Sequence, residues 1–396
     1  MRLHLFTSSA LKSRWIIPVL LPVCLLGCVP KRPQQSILTA GQLIRRGRAE
    51  GLDLKLPFAL NDRIKHVADR KIGRGGTPLD RMERISEFLN GKRGLDFTYD
   101  PTATLTACQT FNKRKGNCLA YTNLFVGIAR YLKVPVYFVY LSNAGSYYAH
   151  GLFFVSSHMA IGFDMGKLSQ GMQTYTAVLD LTGEMIHSPS LYRFESIDDS
   201  QATAYFYNNV AVQEMLRGRK AHAGKLLKFL LKEFPRMRAL YNNLGVLELR
   251  EGRPGKALKT LQAGMAYYPN YPPYYTNAVQ AARESGREAL ARKLEAKGKR
   301  VASRSPSFLF DRGLVHYQQG DYEAAAEKFH RALRYMPNSP LLYAYLAKAY
   351  LAEGRTDAGV KAFDTSRRLF PNNPILKKIE ARFPVLKTVP ERRATH

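Results

Sequence analysis

The second half of the chain is built from a repeated unit, and this repeat limits the possible fold more than any other feature. From about residue 204 the same residue types return every 34 positions without a slip. The clearest set is a row of five glycines: Gly218, Gly252, Gly286, Gly320 and Gly354. Alanines and prolines return in the same phase, as at Ala223 and Ala257 and at Pro235 and Pro269. Each unit therefore predicts two helices that meet at a glycine turn and bury their apolar faces only against neighbouring units.

The period and the residue classes of this region resemble tetratricopeptide repeats. In that family an apolar residue, a pair such as Leu244-Gly245, a turn glycine, a small alanine and an exit proline hold fixed places. The resemblance covers five units in residues 204–373, and a capping helix at 375–383 belongs to a final segment, 374–396. In the third unit Glu295 and Ser303 depart from the pattern. The resemblance implies an all-α solenoid that binds a protein or peptide partner in a groove.

A row of asparagines falls on the early turns of the first helices, on the side that commonly lines the groove in this family. Its members are Asn208, Asn209, Asn242, Asn243 and Asn277. Asparagine amides there would hydrogen-bond the backbone of an extended peptide. The alternative is that these residues are only solvated helix positions.

In the first half of the chain, one cysteine stands at the start of an amphipathic helix. Gly116 and Asn117 are turn formers, and apolar residues follow at helical spacing up to Leu132, so Cys118 is predicted in the first turn. Amide donors and the positive end of the helix dipole stabilise a thiolate at that position. A thiolate is a nucleophile at neutral pH, so a base is expected further along the chain.

The order of the predicted elements indicates an α+β domain. Helical patterns at 38–49, 60–72 and 78–91 precede the cysteine helix, and strands at 134–141, 151–156, 159–163 and 176–181 follow it. Such a layout lets a thiol on a helix face polar residues on a sheet. The candidate residues on or beside the strands are His150, His158, Asp164 and Asp180.

Three stretches carry a second resemblance: T-A-C-Q-T-F-N-K-R-K-G-N-C-L-A-Y-T, S-H-M-A-I-G-F and A-V-L-D-L-T. They resemble the transglutaminase-like superfamily, which shares the papain-like Cys-His-Asp arrangement. The resemblance covers residues 78–185 of a domain expected at 37–195. It implies that Cys118 is the nucleophile, His158 the base and Asp180 the acid that orients the imidazole. By papain-like analogy Gln109 is a candidate donor to the oxyanion.

This match departs from the family at two positions. Met159 follows the histidine where an aromatic residue is common, and Leu181 follows the aspartate where a proline is common. His150 is the alternative base and Asp164 the alternative orienting acid. Neither a metal nor another cofactor is expected, because the folded part has no CxxC motif or Cys/His cluster.

Only two cysteines, Cys108 and Cys118, belong to the expected folded part. In an oxidising compartment they could pair with each other, which would silence the thiol. The competing interpretation keeps Cys118 as a reduced nucleophile.

The first 28 residues have the anatomy of a secretory signal: basic residues, an apolar run from Trp15 and the ending Leu25-Leu26-Gly27-Cys28. The ending resembles the bacterial lipobox, which implies a signal peptide at 1–27, a lipid on Cys28 and a tether at 28–36. With no aspartate directly after the cysteine, the resemblance implies the outer membrane, with the body in the periplasm. A plain signal or a short membrane anchor is the alternative.

The chain is strongly basic, with 60 Lys and Arg against 31 Asp and Glu and a net charge of +29. An exported protein seldom meets nucleic acid, and no recognition motif accompanies the charge, so no nucleic-acid partner is expected. Anionic lipid, lipopolysaccharide or an acidic envelope polymer fits better. The alternative is a solvated basic surface.

Two functions remain open from the sequence. The first is an enzyme that transfers an acyl group through a Cys118 thioester, released by water as in a protease or amidase, or by an amine as in a transglutaminase. Water is preferred because no amine pocket is evident. The second is a catalytically silent scaffold in envelope or exopolysaccharide assembly.

Overall fold

A computed structural model describes residues 19–20, 38–142, 146–149, 152–155, 158–164, 176–179, 193–370 and 374–388. Over these residues an N-terminal unit of helices and strands is followed by an array of helix pairs. This arrangement confirms the predicted fold class, an α+β papain-like domain followed by an all-α solenoid.

The described helices of the N-terminal unit lie close to the predicted helical patterns. They are α1 (Ala40–Ala49), α2 (Asp62–Lys71), α3 (Pro78–Asn90), α4 (Ala107–Lys113) and α5 (Cys118–Tyr131). Polar residues set their starting points. Thr39, Asn61, Thr77 and Thr106 each accept a hydrogen bond from an amide of the first turn, which satisfies a donor that has no partner within the helix.

The strands of this unit form one five-stranded sheet and two small ribbons. The strands are β1 (Val19–Leu20), β2 (Thr98–Tyr99), β3 (Lys115–Gly116), β4 (Val136–Ser142), β5 (Ser146–Ala149), β6 (Leu152–Val155), β7 (His158–Asp164), β8 (Thr176–Leu179) and β9 (Arg193–Ile197). The sheet has the order β1-β8-β7-β4-β9 and is antiparallel throughout. Strands β2 and β3 pair in parallel, and β5 and β6 form a hairpin.

The two sides of the sheet face different parts of the molecule. Side chains alternate along a strand. Tyr140 and Met159 belong to the large apolar cluster that contains α5. Val139, Leu141 and Ala160 belong to a second cluster, whose other members lie beyond residue 308 in the last helices of the chain. Helix α5 and the C-terminal helices therefore pack on opposite sides of the sheet.

The repeated region forms five helix pairs, as the period predicts. The pairs are α6 (Asp199–Leu216) with α7 (Lys220–Glu233), α8 (Arg238–Arg250) with α9 (Pro254–Tyr267), α10 (Pro272–Glu284) with α11 (Glu288–Ala302), α12 (Pro306–Gln318) with α13 (Tyr322–Leu333), and α14 (Pro340–Glu353) with α15 (Thr356–Leu369). The five recurring glycines have φ between +69° and +86°, a conformation that costs other residues energy. Each of these glycines lies in the turn between the two helices of a pair.

Helix α16 (Pro374–Arg382) and a short 3₁₀ helix (Pro384–Thr388) close the array, where a capping helix was predicted. The third pair is regular despite its departures from the pattern. Among the described helices, none is both long enough and apolar enough to cross a bilayer.

The two units join without a linker. Strand β9 ends at Ile197 and α6 begins at Asp199, while Asp198 caps the helix. Arg130 on α5 forms an ion pair with Asp199 at 2.8 Å. Tyr140 and Tyr205 stack across the junction, with ring centroids 4.1 Å apart. A single apolar cluster extends from α1 to α11, so the two predicted domains share a core.

Candidate active site

Cys118 is the first residue of α5, as predicted, and Asn117 caps this helix. The Asn117 side-chain oxygen accepts the Ala120 amide at 3.1 Å. Its Nδ2 donates to Thr104 Oγ1 at 2.8 Å. The Asn117 backbone amide donates to the carbonyl of Ala103 at 2.9 Å. The turn before the cysteine is thus held on three sides by buried hydrogen bonds.

Only glycine fits at position 116 in this turn, because the neighbouring residues leave no room for a side chain. A Cβ at position 116 would lie 2.4 Å from the Cβ of Ala120 and 3.3 Å from the carbonyl oxygen of Ala103. The Gly-Asn-Cys sequence therefore has a packing reason in addition to its turn propensity. The glycine brings the preceding loop against the first turn of α5.

A hydrogen bond links the start of α5 to the start of β7. Thr122 Oγ1 donates to the Met159 carbonyl at 3.3 Å. Thr122 lies one turn after Cys118, and Met159 directly follows His158. The contact therefore brings the helix end that carries Cys118 to the strand end that carries His158. Both side chains are buried, at 8% and 4% exposure.

The acidic candidates differ in position. Strand β8 runs antiparallel to β7 and ends at Leu179, opposite Ile161, towards the His158 end of β7. Asp180 is the next residue and lies outside the described residues, as does His150. Asp164 ends β7, six residues from His158, or about 20 Å along the strand. That distance is too great for Asp164 to orient the His158 ring.

Gln109 is exposed and occupies the first turn of α4. Its side-chain oxygen accepts the Thr106 amide at 3.0 Å, and Thr106 Oγ1 accepts the Gln109 amide at 3.4 Å. This reciprocal pair is a capping box and gives Gln109 a structural role. A role as oxyanion donor remains a prediction.

Cys108 and Cys118 do not form a disulfide. Cys108 is partly buried, and its thiol donates to the Ala59 carbonyl at 3.4 Å. Pairing would have silenced Cys118, so this alternative is not realised in the structure. Within the described part of the chain, no three His, Cys, Asp or Glu residues are grouped so that they could hold a metal ion.

The asparagines of the predicted row form hydrogen bonds with one another. Asn243 Nδ2 donates to Asn208 Oδ1 at 2.8 Å, and Asn277 Nδ2 donates to Asn242 Oδ1 at 2.9 Å. Asn208 also donates to Asn209 at 3.2 Å. None of the five is more than 4% exposed, so they are not the solvated positions of the alternative interpretation. Strand β6 lies against α8 and α10, two of the helices that carry them.

Comparison with protein families finds matches in three ranges of the chain. Residues 65–160 match the transglutaminase-like superfamily, a range that includes Cys118 and His158. Residues 217–274 and 316–383 match two families of tetratricopeptide repeat. The chain carries a transglutaminase-like domain followed by tetratricopeptide repeats. No curated protein matches the chain.

Solved structures similar to this chain include repeat proteins. The crystal structure of MamA is 18% identical over 46% of this chain and 94% of its own, with a TM-score of 0.24. A thermophilic TPR protein of Thermus thermophilus is 22% identical over 47% of this chain and 100% of its own, with a TM-score of 0.26. YrrB, described as a TPR protein with an unusual peptide-binding site, is 11% identical over 45% of this chain and 92% of its own, with a TM-score of 0.25. Nothing about function follows from similarities this low.

Two threonines support the candidate site of the transglutaminase-like domain and were not singled out from the sequence. Thr122 ties α5 to β7, and Thr104 joins Asn117 to the repeats, because Gln213 Nε2 on α6 donates to Thr104 Oγ1 at 2.9 Å. Both contacts join residues far apart in the chain. No local pattern could have indicated them.

Proposed function

We propose that the protein is a cysteine hydrolase of the protease or amidase type, in which Cys118 carries the acyl group as a thioester. One observation carries this proposal: Cys118 opens a buried, side-chain-capped helix whose second turn is bonded to the strand that begins with His158. Nucleophilic cysteines need a base within reach and a helix start that favours the thiolate.

The reaction runs in two steps. His158 takes the thiol proton, and Cys118 Sγ attacks the carbonyl carbon of an amide or ester. The bond to the leaving amine or alcohol breaks, and the His158 imidazolium returns the proton to that group. Water then attacks the thioester while His158 accepts a water proton. The C–S bond breaks, an acid is released, and the thiol regains its proton.

Two further groups complete the proposed site. Asp180 holds the far ring nitrogen of His158 and thus fixes the tautomer. The Cys118 amide, in the first turn of α5, donates to the developing oxyanion. Gln109 is retained as a candidate second donor. Hydrolysis is preferred to transfer onto an amine because the sequence offers no amine pocket.

In this proposal the repeats recruit a partner and the N-terminus attaches the enzyme to a membrane. Tetratricopeptide repeats are binding scaffolds, so we assign to them the recruitment of a protein or peptide. Cys28 is proposed as the lipid-bearing residue that holds the protein at the outer membrane with its body in the periplasm. Cleavage before Cys28 removes the edge strand β1 (Val19–Leu20) from the sheet. The net charge of +29 fits an anionic lipid or envelope polymer as a further partner.

A catalytically silent scaffold is the second candidate, and burial favours it. Cys118 and His158 are only 8% and 4% exposed, so a large substrate cannot reach them in this conformation. In a scaffold, Cys118 would be a small buried side chain that fills the helix start.

Acylation by a small activated ester separates the two candidates. Reduced protein is incubated with p-nitrophenyl acetate, and its peptides are mapped by mass spectrometry. The enzyme predicts a burst of nitrophenol and an acetyl group on Cys118, both lost in Cys118→Ser and unchanged in Cys108→Ser. Acetyl groups only on Cys108 or on lysines would instead support the scaffold.

A further inference from the structure

The hairpin of β5 and β6, called the arm below, continues the pair of central strands that carries His158. The last pair of the β4–β7 ladder joins Leu141 to His158. The first pair of the arm joins Ser146 to Val155. Only two residues separate Val155 from His158 along the chain. His158 therefore stands at the base of the arm.

The arm lies on the repeats. Strand β6 contacts α8 and α10, and β5 contacts α12. These are the first helices of the second, third and fourth pairs, and together they form what we call the first-helix face. Leu152 of β6 is 4% exposed and belongs to the large apolar cluster. The arm therefore covers the face on which the sequence predicted a peptide partner.

The arm has the chemistry of a peptide ligand. It is extended, and its strands read S-Y-Y-A and L-F-F-V, so aromatic and aliphatic residues dominate. Beside β6 the first-helix face carries Asn242, Asn243 and Asn277, all fully buried. Their amides form hydrogen bonds along the row, and a face that combines such amides with apolar residues suits an extended apolar segment.

We propose that the arm is the resident ligand of the first-helix face, and that an external partner binds there only by replacing it. The partner is a protein segment of the same kind, extended and rich in aromatic and aliphatic residues. Because His158 is at the base of the arm, replacement also shifts the base relative to Cys118 and opens the buried site. This last step rests on the proposed cysteine chemistry.

The arm competes with an external segment at an advantage, because it is attached to the protein. A segment attached by a short connection acts at an effective concentration in the millimolar range. An external segment of equal intrinsic affinity is therefore excluded from the intact protein at micromolar concentrations. A ligand shifts such an equilibrium only by its preference for one state, so weakening the arm must strengthen external binding.

The test uses a fluorescein-labelled peptide of residues 144–157, whose binding to the full chain is measured by fluorescence anisotropy. Leu152→Asp places a charge in the apolar contact of the arm and frees the face. Leu386→Asp is the matched control, because Leu386 is similarly buried at 3% exposure but belongs to the second cluster. Should either aspartate variant fail to show a cooperative thermal transition, the pair Leu152→Ala and Leu386→Ala replaces it.

The Leu152 variant should bind the peptide at least about 10-fold more tightly than wild type, because the tethered arm no longer competes for the face. The Leu386 variant should behave as wild type. Equal affinity of wild type and the Leu152 variant, or no binding by either, would overturn the proposal.

Alkylation of Cys118 by iodoacetamide, with Cys108 as internal reference, reports on the site in the same samples. Opening predicts at least about a 10-fold faster reaction of Cys118 in the Leu152 variant. Faster alkylation that is unchanged by an added His158→Ala would refute the catalytic pair while leaving the arm assignment intact. Unchanged alkylation alongside tighter peptide binding would refute the coupling between arm and site.

Discussion

Asn117 caps α5 and also forms a hydrogen bond to a neighbouring loop. It accepts the Ala120 amide, donates to Thr104, and sits next to the cysteine whose position it fixes. Thr104 in turn accepts from Gln213 of the first repeat. The buried Asn117 side chain thus ties the helix that carries Cys118 to the preceding loop and, through Thr104, to the repeats.

Asn117→Ala should therefore cost more than the loss of an ordinary cap. Removing a cap costs about 1 kcal/mol, and losing a buried hydrogen bond adds about 1 kcal/mol or more. Asn61→Ala is the matched control, since Asn61 caps α2 from an exposed position at 3.0 Å. We expect urea denaturation to give about 2 kcal/mol for Asn117→Ala against about 1 kcal/mol for Asn61→Ala.

Equal losses in the two variants would show that the Thr104 contact contributes nothing.

At the residue scale, the sequence offered Cys118 and His158 as candidate nucleophile and base but did not indicate the contact between the elements that carry them. Cys118 and His158 stand in motifs with recognisable neighbours. Thr104 and Thr122 do not, because their partners Asn117, Gln213 and Met159 come from other elements. The same reason explains Gln109, which papain-like analogy offered as a catalytic donor and the structure uses in a helix cap.

At the scale of elements, the 34-residue period predicted the helix pairs of the repeated region and the turns within them. Each pair needs a sharp turn between its helices, and each turn glycine has the left-handed φ that makes it possible. Helix boundaries followed from caps and turn residues that are visible in the sequence.

The turn glycines allow a test with a control three residues away. Gly252 has φ of +70°, so Gly252→Ala should destabilise the protein by about 1 kcal/mol. Gly255 lies in the first turn of α9 with nothing within 4 Å of an added Cβ. Gly255→Ala should therefore stabilise the protein by up to about 1 kcal/mol. Chemical denaturation that shifts both variants in the same direction would contradict this account of the turn.

The arm was only half predicted. The run at 151–156 was recognised as a strand, but its partner β5 was not, and neither was β9. Both are short, four and five residues. The arm packs on α8, α10 and α12, which follow much later in the chain, and no local pattern indicates such contacts.

At the scale of the whole molecule, the two units predicted from the sequence are one packed body. The repeats meet the transglutaminase-like domain at α1, at the arm and on one side of the sheet. Composition changes near residue 204 and suggests a boundary there. Composition does not indicate the shared core, because the apolar residues of each unit would also be explained by a separate core within that unit.

Buried tyrosines predict a steep loss of stability at alkaline pH. Burial raises the pKa of Tyr207 to about 12 and also raises the pKa values of Tyr121, Tyr271 and Tyr274. In the unfolded chain a tyrosine has a pKa of about 10. Above about pH 10 the unfolded state therefore releases protons that the folded state keeps. Each such tyrosine lowers the free energy of unfolding by about 1.4 kcal/mol per pH unit up to its folded pKa.

An alkaline titration followed by tyrosinate absorbance and circular dichroism checks this expectation. Part of the tyrosinate signal should appear only together with the loss of helix, because the buried tyrosines keep their protons until the protein unfolds. Complete ionisation of all tyrosines while the circular dichroism spectrum stays constant would contradict the burial described here.

The pH dependence of iodoacetamide alkylation at Cys118 decides whether Cys118 and His158 form a catalytic pair. Reduced, lipid-free protein is compared with His158→Ala and with His150→Ala, and Cys108 serves as the reference thiol. A thiolate paired with His158 predicts rapid alkylation of Cys118 at about pH 6, where a free cysteine is almost wholly protonated. That reactivity should disappear in His158→Ala and persist in His150→Ala. Alkylation of Cys118 that follows an ordinary thiol, or that ignores His158→Ala, would contradict the catalytic pair and leave binding by the repeats as the function.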